Sequence, residues 1–550
     1  MASSLVGKKY GQNTAAKEDG KQLKEKTTPQ IAETPRIKLD ISFEDWQKRL
    51  AFHYENLQRI TKENFPTVWP ALEFVISISR ILNIKDCSLP FMGIILGKPS
   101  SFKTFGIELL RGIPGTIYTD QFTAKSFVSH INGVDEEKLK EIDLLPKIKN
   151  KVFLTPELSP TFSAREEDLT NILGIITRLL DGHGFESDSG AQGHRGYSGE
   201  FMFTWIGAAV EIPRRVHKLL SSLGPKLYFF RLHVQEKDEN GYYEQMEADN
   251  FKEKRQEIQS ALTQYLEWFS YCPSMELDGN VHKFRMEKED KEVALKVIRF
   301  AKLLAHLRGS VPTWESDDTQ GSHYAYSVAT IEDPSRAITQ LRNLARGHAL
   351  AEGRKTINDK DLAILANVML STAPVERVVV FDLLLAHKGT LKTSDITRGM
   401  NTTNPTARRT MVELKALELV DMSEPSSQTE ELQITLKDDF KWFLTEEFSA
   451  IRRGEISFKQ LERKTPPSEE GAGDSIVARA KNKSKLPVFW QIFDTMSKAS
   501  SDNEVDSEAL KRELITSGKF DAGEAYQVVK DCLSENVIYE FLPGRYRRAT

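Results

Sequence analysis

The stretch Phe91 to Leu110, FMGIILGKPSSFKTFGIELL, decides how the rest of the chain is read. A short apolar run ends at Gly97, a polar loop follows, and Lys103-Thr104 opens a segment with helical spacing. Strand, loop, Lys-Thr and helix, in that order, is the order of a phosphate-binding loop. Gly97 permits a tight exit from the strand, loop amides and the helix N-terminus face the phosphates, and Lys103 brings a point charge to the terminal ones. The candidate nucleotide-binding residues are therefore Gly97, Lys98, Pro99, Ser100, Ser101, Phe102, Lys103 and Thr104, with Thr104 as a magnesium ligand. One position departs from the usual pattern, because Phe102 stands before the lysine where glycine is expected. The plainer alternative is a strand-to-helix turn carrying a surface lysine.

Outward from this stretch, the 550 residues are enough for three or four folding units at about 100–200 residues each. A net charge of -4 excludes a polyelectrolyte binder as a whole, so contact with nucleic acid has to come from local patches. Cys87, Cys272 and Cys532 are far apart and show neither pairing nor metal spacing, which points to a reducing compartment. No apolar segment approaches the roughly 18 residues needed to span a bilayer, and MASSLVGKKYGQN lacks the apolar centre of a secretory signal. The expectation is a soluble, cytoplasmic protein with no membrane partner. Residues 1–38 are too polar to bury a core and read as a disordered tail. Residues 39–85 carry Phe43, Trp46, Leu50, Tyr54 and Leu57 at helical spacing, then a second periodic run, and read as an N-terminal helical segment.

On the C-terminal side, short apolar runs recur at Thr116–Thr119, Lys151–Thr155, Phe201–Ala209 and Lys226–Leu232, separated by helical segments. Five such runs with the loop after the first predict a three-layer α/β nucleotide-binding core over 86–234, built on a parallel sheet. Ligands of such sheets bind at the carboxyl ends of the strands, where Gly97, Glu157, Ala208 and Arg231 fall. The glycine-rich passage DGHGFESDSGAQGHRGYSG predicts a hairpin between flanking strands. Residues 235–372 read as a helical extension and lid. Two units follow, 373–445 and 485–550, each with the helix and wing pattern of a winged helix-turn-helix, joined by a polar linker at 446–484. In the first, Ala407, Met411, Leu414 and Leu417 are assigned to the core, and Arg408, Arg409 and Lys415 to the outer face, as a major-groove helix requires. In the second, Arg545, Arg547 and Arg548 fall at the wing, where phosphate contact is natural.

Hydrolysis of a nucleoside triphosphate needs a phosphate cradle, a carboxylate for magnesium and water, and a positive charge facing the transferred phosphate. Glu157 follows the third strand in the water-activating and magnesium position, but Pro156 stands where an aspartate is usual, and Asp120 could compensate. GKPSSFKT resembles the loop of the minichromosome-maintenance helicases, which reads G-x-P-S/G-x-A-K-S/T and already tolerates a non-glycine before the lysine. PSRAITQLRNLARGHALAEGRKTINDKDL is similar to the helical lid of that AAA+ group. The resemblance implies that Arg336 reaches the nucleotide, that Lys226 or the nearby Arg231 supplies the arginine finger, and that His194-Arg195-Gly196 forms a hairpin tip. It also implies ATP and Mg2+ as cofactors, DNA as a partner, and self-assembly into a hexameric ring. The chain departs from that family at Pro156, at Gly207-Ala208 where a polar sensor is expected, at Lys226, and in having only about 85 residues before the core. Three readings follow: a DNA-acting AAA+ ATPase such as a helicase or remodelling motor, an ATP-responsive DNA-binding regulator with little turnover, or a scaffold with a dead site.

Overall fold

The computed structural model describes residues 39–454, apart from 132, 191–192, 225, 234–237, most of 241–249, 319–320, 327 and 424–430, together with much of 487–548. The chain divides into two compact units, Met1–Ile456 and Ser457–Thr550.

Before the loop, two helices form for reasons that are local. In α1, Phe43–Asn64, Ser42 caps the N-terminus by accepting from the Asp45 amide at 3.1 Å, and Trp46, Leu50, Tyr54 and Leu57 line one buried stripe. In α2, Trp69–Ile81, Pro70 occupies the first turn, where its missing N–H costs nothing. Nearly every α2 residue is buried, so this helix is an interior element rather than a surface amphipath.

The sheet of the first unit holds β1 (Phe91–Leu96), β2 (Thr116–Tyr118) and β3 (Val152–Thr155). A hairpin of β4 (Gly184–Ser189) and β5 (Gly193–Ser198) stands apart from it. The last two sheet strands are β6 (Thr204–Ala209) and β7 (Leu227–Arg231). The sheet order is β2-β3-β6-β1-β7 and every pairing is parallel. All six residues of β1 and of β6 are buried, as expected of a parallel sheet covered on both faces. Alternate side chains feed two cores: Met92, Ile94 and Leu96 pack with the helices Glu166–Leu179 and Arg214–Leu223, while Phe91 and Ile95 pack with α2. A Cβ on Gly93 would lie 2.3 Å from Ile78, and one on Gly347 would lie 2.3 Å from the Ser77 carbonyl. These two glycines let α2 sit against β1 on one side and against the helix Ser335–Ala351 on the other.

Three boundaries differ from the sequence reading. Residues 39–85 are not a separate segment, because Trp46, Leu50 and the α2 side chains belong to the same continuous core as the helices Phe251–Ser270, Lys291–Leu307 and Leu362–Thr372. The linker does not begin at 446, since the helix Glu446–Arg453 buries Phe448 and Ile451 in that core, with Phe448 6.0 Å from Phe300. A hairpin of Thr313–Asp318 with Gly321–Tyr326 lies inside the stretch read as helical. Residues 375–436 fold as helix Val375–Ala386, strand Thr390–Lys392, helices Thr393–Gly399 and Asn404–Ala416, and strands Val420–Ser423 and Gln433–Leu436, with the Gln433–Leu436 strand central in the small sheet.

The described residues of the second unit follow part of that plan. A helix at 487–498 precedes strand Val505–Asp506 and helix Ser507–Thr516, and strands Ile538–Leu542 and Arg545–Arg548 complete an antiparallel sheet. Its core holds Phe489, Phe493, Leu510, Leu514, Val528 and Tyr546.

Candidate functional site

The loop after β1 turns at the carboxyl end of the sheet. The Gly97 amide donates to the Ala209 carbonyl at 3.2 Å, ending the strand pairing, and the Ser101 amide closes back on the Lys98 carbonyl at 3.2 Å. A Cβ on Gly97 would come within 2.5 Å of the Ser101 hydroxyl, so a larger residue there would require that side chain to turn away. Ser100 and Phe102 both adopt left-handed backbone, with φ of 63° and 58°. Phe102 thus keeps the conformation that a glycine would supply, at a cost on the order of 1–2 kcal/mol. Its ring offsets that cost by packing against Phe65, Phe105 and Phe251, with centroids 5.4, 6.3 and 6.3 Å away. Two left-handed non-glycine residues in one short loop are the kind of strain that collects at functional sites. The Ser101 hydroxyl is buried with no hydrogen-bond partner. The helix begins later than the sequence suggests: α3 spans only Phe105–Leu109, and Thr104 is its N-cap, with a side chain that caps nothing.

Lys103 is buried, and its Nζ lies 3.3 Å from Glu157 Oε2. The backbone amide of Ser159 donates to Glu157 Oε1 at 2.9 Å. Burial by itself would raise the Glu157 carboxyl, but the Ser159 hydrogen bonds and the Lys103 charge outweigh it and hold the group below the usual carboxylate range. The residue is therefore ionised at neutral pH. Asp120 is exposed and is engaged elsewhere: the Tyr118 hydroxyl lies 3.0 Å from Asp120 and 2.6 Å from Glu108. At the end of β6, Gly207, Ala208 and Ala209 offer no polar side chain. Two residues beyond β6 lies Glu211, which the sequence reading overlooked; it takes both arms of Arg231, at 2.8 and 3.1 Å.

The three basic candidates do not share one place. Arg231 is paired in register with Leu96, directly before the loop. Lys226 precedes Leu227, which pairs with the residue before Gly93, so Lys226 lies at the opposite end of the sheet, roughly 16 Å away at about 3.3 Å per strand residue. Lys226 and Arg231, alternatives for the same role in the sequence, thus occupy different ends of the sheet. Arg336 joins Lys226 instead: Lys226 Nζ donates to Asp181 Oδ1 at 2.6 Å and to the Thr177 carbonyl at 2.9 Å, while Arg336 donates to the same Asp181 oxygen at 3.1 Å. Burial would raise Asp181, yet Lys226 and then Arg336 hold it below its ordinary range. Arg336 consequently does not reach the loop of its own chain. Asp181 sits in a glycine-rich turn, and nothing in the sequence around it signals that role.

His194 and Arg195 are not at the hairpin tip. They lie on β5, opposite Asp188 and Ser187, and the pairing continues past them to Ser189 opposite Gly193. His194 is exposed between two carboxylates, 3.0 Å from Asp188 and 3.5 Å from Glu186. The hairpin is anchored by Tyr197, whose hydroxyl donates to Asp143 at 2.9 Å. On the helix Asn404–Ala416, Ala407, Met411 and Leu414 are buried, Arg408 and Lys415 are exposed, and Arg409 lies 3.4 Å from Glu413. Arg545 and Arg547 lie on strand Arg545–Arg548, but their side chains fall outside the described residues.

No family model matches the chain, and no curated protein matches it. Among solved structures it is similar to a full-length MCM homolog from Methanopyrus kandleri, with 12% identity and a TM-score of 0.36 over 62% of this chain and 63% of that one. It therefore spans less than two thirds of that protein's length. A second similarity, to the apo A form of the NrS-1 C-terminal region, has 13% identity and a TM-score of 0.21 over 73% of this chain and 78% of that one. Scores this low assign neither fold nor activity, so the class rests on the chain's own geometry. It is an α/β protein with a five-stranded parallel sheet covered by helices on both faces and a buried lysine beside an ionised glutamate at the carboxyl end. Among the described residues no helix is long and apolar enough to cross a membrane.

Proposed function

We propose that the chain binds ATP with Mg2+ at Gly97–Thr104 and hydrolyses it as an AAA+-type assembly acting on DNA. The observation that carries this reading is the Lys103–Glu157 pair at the carboxyl end of the sheet, 3.3 Å apart beneath a loop with two left-handed residues. In this reading the loop amides and Lys103 hold the phosphates, and Glu157, already ionised, orients the attacking water. The donor set suits magnesium, a hard cation held by one or two carboxylates or hydroxyls together with substrate phosphates, and Thr104 and Glu157 would hold it. The bound ion would supply charge neutralisation at the phosphate oxygens. Lys226 and Arg336 hold Asp181 rather than their own loop, and in this reading a ring lets them serve the nucleotide of a neighbouring copy. The two small helix-and-wing modules and the β4–β5 hairpin are the DNA-facing candidates, through Arg408, Lys415, His194 and Arg195.

The alternative is an ATP-responsive DNA-binding regulator with little turnover. It is favoured by Pro156 and by the alanines at the end of β6, which remove two polar groups from the site. Steady-state ATPase assays with and without single- and double-stranded DNA decide between them. The motor reading expects DNA-stimulated turnover that His194→Ala with Arg195→Ala abolishes, and nucleotide binding that Lys103→Ala abolishes. Binding without turnover leaves the regulator, and unchanged nucleotide affinity in Lys103→Ala removes the loop assignment.

A further inference from the structure

We propose that Arg231 reads the terminal phosphate of a nucleotide bound to its own chain, and that Glu211 is the latch from which it is released. The inference rests on the reading of Gly97–Thr104 as a nucleotide loop.

Position comes first. Parallel pairing puts Arg231 beside Leu96, so its side chain starts one residue from the loop on the adjacent strand. A cleft of about 370 Å³ opens there, lined on one side by Gly97, Lys98 and Pro99 and on the other by Glu211, Arg231 and His233. Burial and then the nearby Arg231 charge lower His233, so it is neutral at pH 7 and leaves Arg231 and Lys98 as the positive charges of that cleft. No polar side chain at the end of β6 competes for the role.

The chemistry of the pair comes second. Glu211 accepts both arms of the guanidinium, at 2.8 and 3.1 Å, and a phosphate offers the same two-oxygen geometry to that fork. Glu211 is more than half exposed, so the pair is weak and exchangeable. A phosphate at the loop is a more highly charged acceptor in the same cleft.

Third, only the side chain is free to swing. The Arg231 amide donates to the Ser371 hydroxyl at 3.0 Å, and its carbonyl accepts from the Asn367 side chain at 3.3 Å. Both partners lie on the helix Leu362–Thr372. The strand end is thereby fixed to the helical extension, and a change in the pairing of Arg231 is felt next to that helix.

The test compares dissociation constants of the full-length chain for ADP and for a non-hydrolysable ATP analogue, each with Mg2+. Arg231→Ala is expected to weaken the triphosphate by about tenfold or more, the scale of a lost charged hydrogen bond, while ADP changes by less than about twofold. Glu211→Gln is expected to tighten the triphosphate and leave ADP unchanged, a result that a merely structural pair would not produce. Equal loss of both nucleotides in Arg231→Ala, or an unchanged ratio, overturns the inference. So does recovery of triphosphate preference when Arg231→Ala chains are mixed with Lys103→Ala chains, because the arginine would then act on a neighbour. If the parent binds neither nucleotide, the loop assignment itself falls and takes this inference with it.

Discussion

Replacing Phe102 by alanine and by glycine separates the backbone of the loop from the ring that stabilises it. Both substitutions lose the same contacts with Phe65, Phe105 and Phe251. Aromatic pairs contribute about 0.5–1.5 kcal/mol each beyond area burial, so both variants are destabilised relative to the parent. What differs is the backbone at φ 58°. Alanine retains a left-handed cost on the order of 1–2 kcal/mol. Glycine removes it, but brings back roughly 0.5–1 kcal/mol of chain entropy. The difference leaves Phe102→Gly ahead of Phe102→Ala by about 0.5–1 kcal/mol, whereas at an ordinary position alanine leads by a similar amount. The readout is the urea midpoint of the transition that both substitutions move, compared at a common m-value. An alanine variant as stable as the glycine variant, or more so, would refute the assignment of strained backbone to Phe102. A conserved loop shape also predicts that the glycine variant keeps the nucleotide affinity of the parent.

Three further outcomes are expected. Glu157→Gln should keep ATP binding and lose turnover by roughly 10²–10⁴, the contribution of a positioned base, measured by single-turnover hydrolysis; equal turnover assigns the role to another carboxylate. Lys226→Ala and Arg336→Ala should each retain nucleotide binding while losing turnover, and mixing either with Glu157→Gln chains should restore part of it; no recovery on mixing refutes service to a neighbour. His348 is buried with Asp361 at 2.6 Å and Glu73 at 3.5 Å, and although burial would lower it, Asp361 and then Glu73 push it up to about 10. A group raised in the folded state stabilises fully below its unfolded value near 6.5, and that contribution is lost as pH climbs from 6.5 through 10. His348→Gln should flatten the alkaline fall in stability across that window; identical slopes in variant and parent would contradict the charged pair.

What the residues determined by themselves was local. The order of apolar run, Gly97, polar loop and Lys103-Thr104 located β1 and the loop, because strand exit and phosphate geometry depend on residues only a few positions apart. The same holds for the buried stripe Ala407, Met411 and Leu414, which helical spacing defines without reference to any other element. The position of Glu157, two residues beyond a short strand, was legible for the same reason. The tertiary structure alone decided the rest, because it joins residues that no local spacing connects. Asp181 meets Arg336 across 155 positions, and α2 packs as an interior helix where Gly93 and the distant Gly347 admit it between β1 and the helix Ser335–Ala351. Arg231 and Lys226 are five residues apart in sequence, yet an extended strand carries them to opposite ends of the sheet. Phe102 looked like a defect in the loop because composition records which residue is present and not its φ; the fold holds it in a glycine's conformation through rings supplied by Phe65 and Phe251, far outside the motif.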